Sequence, residues 1–430
     1  MNIINPTNKP RFVISCPFDT YSGYGARSRD LVKAIIETNK YQVELLPQKW
    51  GETSWGFCDD HKEWAFLKNH QILQMTQKPD IWMQITIPNE FTPVGKYNIG
   101  CTAGIEADGC KPEWVEGLNR MDMNWVSSNF AKQTFENVSF EKKSKANNQV
   151  IGEIKLTKPI KVIFEGANLD IYKSISTKEI KTIDLTDIKE DFCFLFVGHW
   201  MNGDYGHDRK NVGVMVRTFF ESFKNKKKKP ALILKASTGI ASYMSRDMIL
   251  DRILQIRQQI PTKLLPNIYV LSGEFDDSEM NELYNHPKIK AMISLTKGEG
   301  FGRPLLEFSL TGKPIIASGW SGHTDFLNKD YVSLVGGVLE NVHPSAANNW
   351  LIKEARWFKA DPSHAGGFLK DIYKNYKVYH SKAKRQKYYA KENFSWDAMK
   401  NLIDKELNEN IPEFPKQVPL NLPNLNLPTV

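Results

Sequence analysis

The residues best suited to chemistry crowd into one stretch, residues 290–325, KAMISLTKGEGFGRPLLEFSLTGKPIIASGWSGHTD. An apolar strand run ends at Leu295, glycines follow at 298, 300 and 302, Pro304 suits the first helical position, and Gly312 suits the helix stop. Glycines let a backbone approach a ligand closely and leave N–H groups unspent. A helix start adds partial positive charge, so the loop is suited to a ligand that carries phosphate. Glu299 stands in this loop and Glu307, eight residues on, in the first part of the helix. One acid lies near the strand tip and the other about a turn deeper, a spacing that suits two parts of one elongated ligand.

Such groups need a frame to hold them. Strand-like runs at 11–16, 41–46, 79–87, 97–102, 123–126 and 160–164 alternate with helical or polar stretches, among them a helix expected over 28–37. A second series follows, with strands at 192–197, 231–235, 268–271, 291–295 and 314–318 and helices at 212–223, 245–259, 277–285 and 304–311. Alternation of this kind predicts an α/β protein with parallel sheets covered on both faces, here as two Rossmann-like halves. The lysine-rich segment 140–156 reads as a surface loop, 173–191 as the boundary, 346–407 as helical, and the Pro, Asn and Leu alternation from 412 to 430 as an extended tail. Within 371–400, basic residues alternate with tyrosines. That pattern suits a solvated helix with an aromatic inner stripe, or an anionic contact surface.

Composition sets the outer limits. The 430 residues are 41% hydrophobic and 25% charged, which are globular values, and no run of eighteen apolar residues occurs. The start is polar, without the apolar core of a secretory signal, so a soluble cytoplasmic chain is expected. Five cysteines without Cys-x-x-Cys spacing, and nine histidines that do not cluster with them, exclude a sequence-local zinc site. The net charge of +8 is a mild bias, compatible with an anionic substrate, nucleic acid or a membrane surface.

The unit Glu299-Gly-Phe-Gly-x-Pro-x-x-Glu307, then Gly312-x-Pro314 and the Ser-Gly-x-Ser-Gly turn of Ser318 to Gly322, resembles the signature of retaining glycosyltransferases of family 4. That family has the GT-B fold, two Rossmann-like domains facing across a cleft. Further elements resemble it in the right order over most of the chain: Trp125-Val-Ser-Ser-Asn-Phe130, Phe164-Glu-Gly-Ala-Asn-Leu-Asp170, Phe196-Val-Gly-His with Asp208-Arg-Lys-Asn211, and Phe394-Ser-Trp396. The resemblance implies an acceptor domain over 1–185, a nucleotide-sugar domain over 186–385, and a helix at 386–410 crossing back to the first domain, before the tail at 411–430. It also implies that Glu307 binds the ribose hydroxyls of a nucleotide sugar. Glu299, with the N–H groups of Gly300, Phe301 and Gly302, would contact the sugar ring. Arg209 and Lys210 would neutralise the diphosphate, alone or with Arg303, because Gly198-His199 replaces the family's usual Gly-Arg. Glu299, Arg209 and Lys210 are thus the expected catalytic groups. No Asp-x-Asp metal clamp stands in a comparable loop, so metal independence is expected, with a nucleotide sugar, UDP-sugar first, as co-substrate and no other cofactor. In a retaining reaction of this type a departing phosphate oxygen takes the acceptor's proton, and no dedicated base is needed. His199, His207 and His323 are candidate contacts, although an isolated histidine more often packs.

Other residues divide between readings. Ser22-Gly23-Tyr24-Gly25-Ala26-Arg27-Ser28 follows the first strand, where family members use glycines such as Gly23 and Gly25 to admit donor and acceptor. It is also a near miss for the dinucleotide fingerprint, with Ser28 for the third glycine and Glu44 as the ribose acid, or a plain turn. Glu106 and Asp108 suit acceptor contact or ordinary turn chemistry. Trp50, Trp55 and Phe57 suit stacking on a sugar or base, or core packing. Lys226 to Lys229 reads as a solvated turn or a phosphate contact. Two acceptor classes remain: a hydroxymethylated base in viral duplex DNA, in a host cytoplasm, or a glycan or lipid-linked glycan at the membrane face, met by a peripheral enzyme. The alternatives to transfer are a sugar-nucleotide epimerase of the same fold and a non-catalytic nucleotide-sugar binding module.

Overall fold

The computed structural model describes residues 9–414 apart from 52, 145, 148, 240 and 263, so most of the expected tail lies outside the described residues. In chain order the first half contains β1 (Arg11–Cys16), α1 (Gly23–Glu37), β2 (Gln42–Pro47), α2 (Phe57–Asp60), β3 (Ile81–Ile85) and β4 (Tyr97–Cys101). There follow α3 (Pro112–Arg120), β5 (Met123–Val126), α4 (Asn129–Asn137), β6 (Ser139–Lys143), β7 (Val150–Lys155) and β8 (Ile160–Val162). Six of these strands form a parallel sheet in the order β2-β1-β3-β4-β5-β8. β1 is buried from Phe12 to Cys16 without alternation, as a strand covered on both faces must be.

Two expectations are corrected here. The first helix starts at Gly23 rather than 28, because Ser22 caps it by accepting the Gly25 N–H at 2.9 Å. Gly23 and Gly25 therefore lie in the first turn of α1. Segment 140–156 is not a plain loop: β6 and β7 pair as an antiparallel hairpin, since Phe140 faces Ile154 across the register and both pack on the core beneath.

The second half contains β9 (Cys193–His199), α5 (Val212–Phe223), β10 (Ala231–Ser237), α6 (Tyr243–Gln258), β11 (Ile268–Leu271), α7 (Asp277–Asn285), β12 (Ile289–Ser294), α8 (Arg303–Ser309), β13 (Ile315–Ser318) and β14 (Ser333–Val335). Its strands run parallel in the order β11-β10-β9-β12-β13-β14. The chain ends with a hairpin of β15 (Gly337–Asn341) and β16 (Arg356–Ala360), then α9 (Pro362–Lys374), α10 (Tyr376–Asn393) and α11 (Trp396–Asn410). β16 corrects the all-helical reading of 346–407: its Trp357, Phe358 and Ala360 are buried, Arg356 and Lys359 are exposed, and it pairs with β15.

In each sheet the winding reverses beside the first strand, between β1 and β3 and between β9 and β12. At such a point the loops leaving the strand ends part and open a crevice. α11 closes the arrangement by returning to the first sheet, where Met399, Ile403 and Leu407 enter the same core as Leu31 and Ile35 of α1. In the basic stretch, Tyr373, Tyr376 and Tyr379 pack on the second core while Tyr388 is exposed.

Candidate functional site

The glycine loop leaves β12 at the second reversal point, and the loop carrying Arg209 and Lys210 leaves β9 beside it. Asp208 holds that second loop by accepting the Val212 N–H at 3.1 Å, and the Arg209 carbonyl accepts the Lys297 N–H at 2.8 Å. The topology therefore brings together residues about ninety positions apart. Lys210 Nζ lies 2.5 Å and Arg209 Nη1 3.3 Å from the Glu299 carboxylate, which is 8% exposed. Burial alone would push Glu299 up, but Lys210 and Arg209 outweigh it and hold the group at about 2, firmly ionised. Arg209 also donates to the Gly298 carbonyl at 2.9 Å and reaches Glu106 at 3.6 Å.

The glycines do more than face a ligand. A Cβ on Gly298 would lie 1.8 Å from the Glu106 carbonyl oxygen, and one on Gly300 2.6 Å from that of Ala103, so the loop is seated against the first domain's 103–106 backbone. Ser127 Oγ sits between the Ala103 and Gly300 carbonyls, 3.2 Å from the latter. Gly302 has φ +100°, a left-handed conformation that glycine tolerates at the entry to α8. The Glu299 N–H donates to Ser321 Oγ at 3.0 Å. Among the described residues the N–H groups of Gly300, Phe301 and Gly302 have no protein acceptor.

Glu307, on α8, is nearly buried. Arg303 Nε approaches it at 3.1 Å and Tyr284 OH donates to it at 3.3 Å. Burial pushes its carboxyl up to about 8, Arg303 pulling back only in part because that guanidinium is shared. Its Nη1 lies 2.7 Å from Asp30 on α1 and 3.8 Å from Glu165. Asp30 and Tyr284 were not singled out from sequence, since no local motif marks them; Glu165 lies inside the Phe164 to Asp170 element but was given no role of its own.

A cleft of about 360 Å³ runs between the domains. Gly23, Tyr24, Trp50, Glu106 and Glu165 border it from the first domain, and Glu299, Gly300, Phe301, Gly302, Arg303 and Trp350 from the second. Six expected ligand contacts do not border it: Arg209, Lys210 and Glu307, which pair with Glu299 and Arg303 as described, and Gly25, Asp108 and Trp55. Gly25 is packed against Thr20, where a Cβ would meet the carbonyl oxygen at 2.3 Å. Asp108 bridges the domains, accepting from the Arg356 N–H at 2.6 Å and pairing with its Nε at 2.8 Å. Trp55 pairs with Thr20 as an isolated bridge and is 44% exposed. Of its aromatic neighbours, Phe57 lies under the Arg29 guanidinium, 3.4 Å from the ring centre, and Trp50 alone reaches the cleft. Glu44, the acid of the dinucleotide reading, is bound by Arg11 at 2.6 Å. His199 bonds Ser237, His207 stacks on His343, and buried His323 donates from Nε2 to the Ser318 carbonyl at 2.6 Å. Among the described residues no group of three or more His, Cys, Asp or Glu is arranged to hold a metal ion.

No protein-family model matches the sequence, and no curated protein matches it significantly. Solved structures do match. A glycosyltransferase from Rickettsia africae superposes with a TM-score of 0.63 at 13% identity, over 94% of this chain and 99% of that one. The sucrose-phosphate synthase of Thermosynechococcus elongatus gives 0.60 at 11% identity, over 93% and 98%. HepE from Anabaena, in complex with UDP and glucose, gives 0.57 at 11% identity, over 93% and 100%. The chain has the GT-B fold. In GT-B terms the two reversal points face each other, and Glu299, Arg209 and Lys210 stand where they meet. Among the described residues no helix is long and apolar enough to cross a membrane.

Proposed function

We propose that the protein transfers a sugar from a nucleotide diphosphate sugar, UDP-sugar first, to an acceptor hydroxyl. It does so with retention and without a metal, as in the family its motifs resemble. One observation carries the reading: an ionised Glu299 held between Arg209 and Lys210 at the edge of the interdomain cleft. An incoming diphosphate competes for both cations, and the released carboxylate then accepts hydrogen bonds from the sugar hydroxyls. As the bond from C1 to the phosphate oxygen breaks, negative charge grows on the departing diphosphate, where fixed cations stabilise the transition state more than the ground state. The acceptor oxygen bonds C1 from the same face, and its proton passes to the departing phosphate oxygen. The unpaired N–H groups of Gly300, Phe301 and Gly302 are available to the donor, and Glu307 to its ribose. The complex of HepE with UDP and glucose is consistent with this use of the fold.

The acceptor is a hydroxyl of either class expected from sequence, a hydroxymethylated base in viral duplex DNA or a glycan, free or lipid-linked, and the proposed workplace is the cytoplasm or its membrane face. The test is turnover of a panel of nucleotide sugars with and without acceptors, followed by anomeric analysis. Release of nucleotide diphosphate and a product of retained configuration is expected. A free sugar inverted at C2 would mark an epimerase instead, and absence of turnover with every donor would refute both. Binding to duplex DNA that weakens steeply with salt would point to nucleic acid.

A further inference from the structure

We propose that the first-domain half of the cleft is an acceptor subsite for an uncharged sugar ring, stacked on Trp50. The inference rests on the transferase reading and adds the substrate class. Trp50 lies on Tyr24 with ring centres 3.8 Å apart and 21° between planes. The Tyr24 hydroxyl is pinned between Thr102 Oγ1 at 2.9 Å and the Ala103 N–H at 3.2 Å, in the backbone against which the glycine loop is seated. The shelf is thus fixed relative to Glu299. Trp114 borders the same cavity, and Trp350, half exposed, borders it from the second domain. Indole faces take the C–H face of a sugar ring, and a cavity of this size holds a ring or two.

The charges decide which flat ligand fits. Of the three carboxylates that border the cavity, Glu106 and Glu165 stand on this half, and they can accept hydrogen bonds from ring hydroxyls. Among the described residues no lysine borders it, and the one bordering cation, Arg303, is already shared by Asp30, Glu165 and Glu307. A phosphodiester in this half would meet carboxylates whose nearby cations, Arg209 and Arg303, are already engaged, whereas a neutral polyol meets acceptors for its hydroxyls.

The experiment uses the full chain, the donor found by hydrolysis, and two acceptor sets: neutral alkyl glycosides and disaccharides, and a duplex oligonucleotide carrying hydroxymethylcytosine. Transfer to a neutral glycoside is expected. Trp50→Ala should raise the acceptor KM about tenfold, one step of 1.4 kcal/mol, and lower the ratio of transfer to donor hydrolysis, while Trp50→Phe restores most of it. Trp350→Ala, at an exposed position that leaves the fold intact, should shift the same ratio in the same direction. Hydrolysis by the wild type with transfer only to the oligonucleotide, or with acceptor KM unmoved in both alanine variants, overturns the subsite alone. No donor hydrolysis or transfer by the wild type overturns the transferase reading and the subsite with it.

Discussion

At the scale of single residues, the site consists of charges that are already matched before any ligand arrives. Glu299→Ala removes the carboxylate proposed to face the sugar and leaves Arg209 and Lys210 without it, so transfer should fall about 10²–10³-fold in kcat. Glu307→Ala should act mainly by raising the donor KM, and wild-type rates in both variants would sink the assignment. The two acids also differ in their response to pH. The carboxyl of Glu299 is depressed to about 2, so its contribution to stability is present above its ordinary value near 4.5 and lost as the pH falls through about 2. The Tm difference between wild type and Glu299→Gln should therefore shrink over that window. Glu307 is raised to about 8, which reverses the sign: the wild type should lose ground to Glu307→Gln as the pH climbs from 4.5 through 8, then run parallel. The Glu-x7-Glu unit was legible because loop and helix are local. The partners Asp30 and Glu165 were not, since Asp30 lies 273 positions from Arg303 and only the closed cleft joins them.

At the scale of elements, the glycine loop is constrained by the other domain. Gly298→Ala places a methyl group against the Glu106 carbonyl, and the backbones must part to make room. A loss of more than tenfold in kcat/KM, with a drop of about 1–3 kcal/mol in unfolding free energy, is expected; an unchanged Tm would show that the loops are not seated as described. The start of α1 shows how a short signal can be misjudged. The Ser22 cap and the Gly25 contact with Thr20 carry the helix through two glycines that read, in the chain alone, as loop. Ser22→Ala should cost about 1 kcal/mol in thermal or urea unfolding. β16 was missed because its five residues stand next to a long helical stretch, and a strand needs its partner, β15, to be recognisable.

At the scale of the whole molecule, two of the links between the domains lie outside the cleft. α11 is the stronger, because it buries apolar side chains in the first core after the chain has left the second. Ile403→Ala should cost about 2–5 kcal/mol and lower the midpoint of urea unfolding, although Ile403 is remote in sequence from every strand of the sheet it covers. The Asp108 and Arg356 pair is partly exposed, so Asp108→Ala should change stability by no more than about 1 kcal/mol. Its effect belongs instead to closure, read as a larger radius of gyration in solution scattering.

The amino-acid sequence by itself determined the alternation of strands and helices, the two halves, and the local unit from Glu299 to Glu307, because each depends on neighbours a few positions away. Only the tertiary structure decided that Asp108 would become a bridge, that Trp50 rather than Trp55 would face the cleft, and that Arg303 would answer Asp30 and Glu165 from distant segments besides Glu307 on its own helix. Those outcomes depend on how two sheets meet, and the distances set by that meeting leave no trace in the spacing of residues along the chain.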